Sequence, residues 1–329
     1  MKVTPGSPPA RAAVGPAAGD AGPGLLDRLP PTSFFLVSAV FHYLGPSLAV
    51  LLFARIDVLG VAWLRIVTAA AVFAAWRRPW RLISRLTRPQ RRNLLALGAV
   101  LAFMNAVFYL AADRLPLSTV SSIEFLGTIV LAAAGARTWR NAAALAVTVG
   151  GVAVLTEVRF TGQPLGFAFA FANCAGFMLY VVLAHRIAST AVPPGTGGAA
   201  GAAQGGRSPL AGIDQVGAAM LIAAAVITPI GAASARPAFA DPVLLLAGAG
   251  VGVCSSVIPY VTDQLAMARL PRATFALMLA LLPAAATLLG LVILRQVPTG
   301  QDLAGVGLVI GGLALHDERT SRNGQPDGG

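Results

Sequence analysis

The chain has 329 residues, 56% of them hydrophobic and only 11% charged, with a mean hydropathy of +0.75 and a formal net charge of +11. A soluble domain carries about 25% charged residues, so this composition excludes a single water-soluble core and places the chain in a bilayer. Cys174 and Cys254 both lie inside apolar segments, and no disulfide framework or metal site follows from them.

Residues 1–32 are rich in Pro, Ala and Gly and lack an apolar period. They read as a disordered tail rather than a signal peptide, which needs a compact apolar core. Apolar segments then follow at about 33–53, 58–76, 94–112, 117–135, 141–156, 164–184, 214–233, 242–262, 273–293 and 302–316. The expected fold is an all-α integral membrane protein of about ten transmembrane helices. Its first half spans 33–156 and its second 164–316, with a flexible Gly/Ala-rich loop at 189–213 and a tail at 317–329.

Loop charge predicts the orientation. With the N-terminus in the cytoplasm, the inside segments hold 18 of the 24 Lys and Arg, and the outside loops hold five: Arg55, Arg114, Arg159, Arg236 and Arg295. Both termini are therefore expected in the cytoplasm. The same confinement accounts for the basic balance without nucleic acid. Seven arginines fall in the single stretch Arg77–Arg92, which is well placed against anionic membrane lipids.

The segment Arg114-Leu-Pro-Leu-Ser-Thr returns 155 residues later as Arg269-Leu-Pro-Arg-Ala-Thr. Double glycines, Gly150-Gly151 and Gly311-Gly312, close the following apolar segments. A long-range repeat of this kind predicts two similar halves. Five helices per half is an odd number, so the second half would enter from the opposite face. Such an inverted repeat is a common construction in secondary transporters, with the substrate site near mid-membrane.

The polar residues inside the segments are the candidate site. Glu124 is the sharpest, since a carboxylate in hydrocarbon must face a cavity, pair with a cation or hold a proton. It reads as a substrate-amine or proton-coupling group, or else as one half of a static ion pair with Arg65. Arg65 could clasp a substrate carboxylate in a bidentate fork, or snorkel and brace loops. Asn105 and Tyr109 share a helix face at i, i+4. His42 and Tyr43, Asn173 and Tyr180, and Tyr260 and Asp263 lie in the first, sixth and eighth segments. Each alone reads as an interhelical hydrogen bond, and Asp263 also as a surface residue beside Arg269. Together they suit a small polar zwitterion. Pro46, Pro259 and Pro283 permit kinks or hinges. Gly248–Gly252 and Gly307–Gly311 supply small faces for helix packing, and those of helices five and ten would allow a homodimer. No phosphate-binding loop, His-Glu-x-x-His or Cys/His cluster occurs, so neither an enzyme nor a cofactor is expected.

Trp63-Leu-Arg-Ile66, Arg78-Pro-Trp-Arg-Leu82, Met104-Asn-Ala-Val-Phe-Tyr-Leu110, Ile123-Glu-Phe-Leu-Gly127, Pro259-Tyr260 and Ala268–Phe275 occur in order at compatible spacing. In these the chain resembles the EamA-type branch of the drug/metabolite transporter superfamily, within it most closely the bacterial threonine and homoserine exporters, from about residue 45 to 316. The resemblance implies export of small amino acids or related metabolites across a bacterial cell membrane by proton exchange. It also implies a central cavity lined by Arg65, Asn105, Tyr109, Glu124, Tyr180 and Tyr260, with Asp263 where those exporters have a glutamate. The chain departs from the pattern at Thr128 (a proline there), Leu282 (a glutamate), Val50 (a lysine) and Arg295-Gln296 (Gly-Glu). Efflux of lipophilic cations is the alternative within transport, and a non-transporting scaffold or sensor is the alternative outside it.

Overall fold

The computed structural model describes residues 30–135, 138–157, 163–190, 209–269 and 281–315. Among the described residues the regular structure is entirely helical. Residues 31–157 form α1 (Pro31–Leu52), α2 (Val58–Arg77), the short α3 (Trp80–Arg85), α4 (Arg88–Ala112), α5 (Leu117–Gly135) and α6 (Trp139–Glu157). The described residues of 164–315 form α7 (Pro164–Thr190), α8 (Pro209–Gly231), the short α9 (Arg236–Ala240), α10 (Pro242–Gly252), α11 (Ile258–Arg269), α12 (Leu282–Leu294) and α13 (Gly300–Leu315). A π-helical turn, Val253–Val257, joins α10 to α11.

Among the described residues, six helical stretches are long and apolar enough to cross a membrane, and α5, α6, α12 and α13 are shorter apolar helices. Each predicted segment meets one of them. Residues 273–280 of the ninth segment lie outside the described residues, as does most of the second copy of the repeat. Large apolar side chains such as Leu36, Leu95, Phe103, Leu246 and Val292 remain exposed on the helices. A bilayer is the solvent that such surfaces fit.

Several boundaries differ from expectation because the chain caps its helices. Thr87 and Gln90 form a capping box with proline in the first turn, so α4 begins at Arg88 rather than near 94 and makes Arg88, Arg91 and Arg92 helical. The loop expected at 189–213 is shortened from both ends, because α7 runs to Thr190 and α8 starts at Pro209. Asp57 and Asp241 accept from Leu59 N and Val243 N, each at 2.9 Å, and start α2 and α10. α2 and α12 end on Arg78 and Arg295 in the left-handed conformation, φ 51° and 53°.

Small residues set the tightest packing, as expected where lipid removes the hydrophobic drive between helices. Gly151, Gly305 and Gly312 bring α6 against α13, where added Cβ atoms would meet opposing backbone. Gly150, Gly307 and Gly311 face open space instead. The small faces of helices five and ten are thus divided between an internal seam and an outer surface. α1 packs on α10–α11 and α12, α4 on α7 and α8, α2 on α8 and α10, and α5 on α6 and α7. At the arginine-rich end, Arg77 clasps Asp214 through two bonds of 2.7 and 3.0 Å, tying α2 to α8.

Candidate functional site

Proline chemistry builds the centre of the site. Pro259 has no N–H to offer the Ser255 carbonyl four residues earlier, and the helix relaxes into the π-turn there. Arg65 of α2 takes up the released group. Its Nη2 donates to the Ser255 carbonyl at 3.1 Å and its Nε to the Ser256 hydroxyl at 3.0 Å. The guanidinium also lies over the Tyr109 ring, 5.3 Å from the centroid, within the range of a cation–π contact. Nη1 carries no protein hydrogen bond among the described residues.

Glu124 of α5 is 5% exposed and Arg65 6%. They lie within electrostatic reach of one another. No ion pair joins them among the described residues, so the static lock between α2 and α5 does not form. Arg65 is neither snorkelling nor bracing a loop; it is held by the π-turn. Asn173 of α7 stands beside the Glu124 carboxylate, its amide short of regular hydrogen-bond geometry.

The surrounding groups come from α1, α4 and α11, and again from α7. The Tyr43 hydroxyl donates to Ser121 Oγ at 2.7 Å, joining α1 to α5. The His42 ring lies against Tyr43, centroids 5.4 Å apart, and within reach of the Arg65 charge. Asn105 donates back to the Leu101 carbonyl at 2.7 Å and lies beside Tyr260. Tyr260 in turn neighbours Asp263 and Tyr180. Asp263 accepts from Ser38 of α1, so it faces the bundle rather than the surface. All eight candidates, Arg65, Glu124, His42, Asn105, Tyr109, Tyr180, Tyr260 and Asp263, thus belong to one connected polar region.

Several buried polar atoms on these helices are unsatisfied. Tyr109 OH, Thr119 Oγ1, Ser122 Oγ, Ser255 Oγ and both Asn173 amide atoms are buried without a protein hydrogen-bond partner among the described residues. Each such group costs about 1–3 kcal/mol if left unpaired. Sequence reasoning missed Ser38, Ser121, Ser255 and Ser256. The spacing of Ser255 four residues before Pro259 was the one available signal.

The threonine/homoserine exporter RhtA of Escherichia coli (strain K12) is 30% identical to this chain over 297 residues, 88% of this chain and 92% of the exporter. The chain belongs to the EamA-like transporter family. The profile of that family matches residues 202–316. RhtA of Salmonella typhimurium (strain LT2) is 31% identical over the same length. A solved crystal structure at 20% identity shares the fold, with a TM-score of 0.54 over 86% of this chain and 97% of its own. In this EamA-like transporter the departures at Thr128 and Leu282 leave no charge. Thr128 turns its hydroxyl back to the Phe125 carbonyl at 2.7 Å, and Leu282 is buried. Among the described residues, 164–315 bring to the site Asn173, Tyr180, the π-turn serines, Tyr260 and Asp263.

Proposed function

We propose that this membrane transporter is a secondary active exporter of a small amino acid or related zwitterion, working by alternating access. One observation carries the reading. A buried guanidinium and a buried carboxylate stand near each other unpaired, amid unsatisfied amide and hydroxyl groups. A zwitterion completes both, with its carboxylate on Arg65 and its amine on Glu124. A lipophilic cation would leave the guanidinium uncompensated beside its own charge, which disfavours the drug-efflux reading. The exporters it resembles are named for threonine and homoserine, which places their chemistry first among the substrates to try.

The two halves act as inverted five-helix repeats in this reading. The packing supports it: matching α1, α2, α4, α5 and α6 with α7, α8, α10–α11, α12 and α13 sends the pairings of α4 and of α5 with α7 to others and leaves α2 on α8 and α6 on α13 mapped onto themselves. Thus α1 on α10–α11 corresponds to α4 on α7, and α4 on α8 to α2 on α10. Both termini lie in the cytoplasm, following the arginine distribution. Glu124 binds a proton when empty and exchanges it for the substrate amine, which couples export to the proton gradient.

The test is counterflow of labelled threonine and homoserine in proteoliposomes, with and without an imposed pH gradient. Wild type is expected to respond to the gradient. Glu124→Gln, isosteric and neutral, should lose that response while remaining folded in the membrane. An unchanged response in the variant removes Glu124 from coupling.

A further inference from the structure

A second polar feature lies far from the transport site. A cleft of about 590 Å³ opens between the first turns of α4 and the last turns of α7, lined by Arg88, Arg92, Asn93 and Arg186. From Arg92 to Asn105 the distance along α4 is about 20 Å, at about 1.5 Å per residue. Arg88 and Arg92 are one helical turn apart on the same face. Neither α4 nor α7 contains an aspartate or glutamate. Among the described residues neither Arg88 nor Arg92 makes an ion pair, and Asp214 is already held by Arg77. Like charges at this spacing oppose one another, so the Arg88–Arg92 pair is suited to an anion from outside the chain.

The walls say which kind. Ala96 and Leu183 form the inner side of the same cleft. Farther along, Gly176 lets α7 approach Phe103 and Met104 of α4. Phe103 and Leu179, 50% and 48% exposed, continue the apolar surface of these two helices. A ligand that uses both regions has an anionic head and a hydrocarbon tail. We propose that this cleft binds the headgroup of an anionic phospholipid, its phosphodiester against Arg88 and Arg92 and an acyl chain along the α4–α7 seam. Basic pockets between helices at a membrane surface are suited to such headgroups. The lipid would clamp together the two helices whose opposite faces carry Asn105, Tyr109 and Asn173.

The test is thermal unfolding of the full chain in neutral detergent, titrated with phosphatidylglycerol, with phosphatidylcholine of the same acyl chains, and with inorganic phosphate. Phosphatidylglycerol should raise the melting temperature saturably, by mass action, and the other two should not. The double variant Arg88→Gln/Arg92→Gln should bind phosphatidylglycerol about twenty-five-fold more weakly, at roughly fivefold per arginine. Arg81→Gln/Arg85→Gln, outside the cleft, should bind it as wild type does. Equal stabilisation by phosphatidylcholine overturns the site. So does an equal response to phosphate, which would make it a soluble-anion site, or full binding by the first variant. The wild-type comparison of the two lipids decides the matter even where a variant does not purify.

Discussion

Gly45 of α1 offers the sharpest check on the packing around the π-turn. A Cβ added there would press on Ser255 Oγ and lie 2.7 Å from Ser255 Cα, against an ordinary contact of 3.4 Å or more. The hydroxyl can rotate away, but the backbone atom cannot. Gly45→Ala must therefore push α1 and the π-turn apart by several tenths of an ångström, and the Ser255 carbonyl that binds Arg65 moves with them. Helix propensity alone favours alanine over glycine by about 1 kcal/mol. Overpacking of a closed contact costs about 1–3 kcal/mol, and a backbone clash belongs at the upper end. The net expectation is a loss of about 1–2 kcal/mol, or several degrees in melting temperature. Gly250→Ala is the matched control, since nothing lies within 4 Å of a Cβ there; it should be neutral or stabilise by up to about 1 kcal/mol. The assay is thermal unfolding of the purified proteins side by side in one detergent. Gly45→Ala melting at or above wild type, or both variants falling alike, would refute the close approach of α1 to the π-turn.

Asp214→Asn should weaken the two-bond clasp on Arg77 and lower stability by about 0.5–1 kcal/mol, an effect reduced at high salt. A double-mutant cycle with Arg77→Gln measures it, and strictly additive losses would show that the pair contributes no coupling. Arg65→Lys keeps the charge but loses the planar fork that reaches the Ser255 carbonyl and Ser256 hydroxyl together. Its affinity for a zwitterion, read by ligand-dependent melting, should fall about tenfold or more while the empty protein still unfolds cooperatively. Wild-type affinity in that variant would take Arg65 out of substrate binding. For Glu124→Gln in the pH-gradient assay, the expected sign is a flux that no longer rises with the gradient.

The candidate site was legible one residue at a time. Glu124 and Arg65 announce themselves because an ionisable group in an apolar run needs a partner or a purpose. Which partner it finds is a different kind of information. Arg65 bonds to residues 190 and 191 positions away, and Ser38 to one 225 positions away. Nothing local distinguishes those serines from others in the helices. Glu124 and Arg65 were also natural candidates for each other, and tertiary packing gave Arg65 to the π-turn instead. Pro259 made that choice available by freeing a carbonyl, yet a proline by itself does not say who accepts the offer.

The apolar segments, their order and the arginine-rich stretch between α2 and α4 were determined by sequence alone, because bilayer solvation acts on each segment independently of its neighbours. Helix ends followed less well. Capping by Thr87 and Gln90 carried α4 back to Arg88, and with it turned part of a loop into one wall of a basic cleft. That cleft, the hold of the π-turn on Arg65 and the unsatisfied buried polar atoms were decided by tertiary structure. They depend on which helix faces meet, and between helices in lipid that is settled by close packing of small residues and by interhelical hydrogen bonds rather than by hydrophobicity.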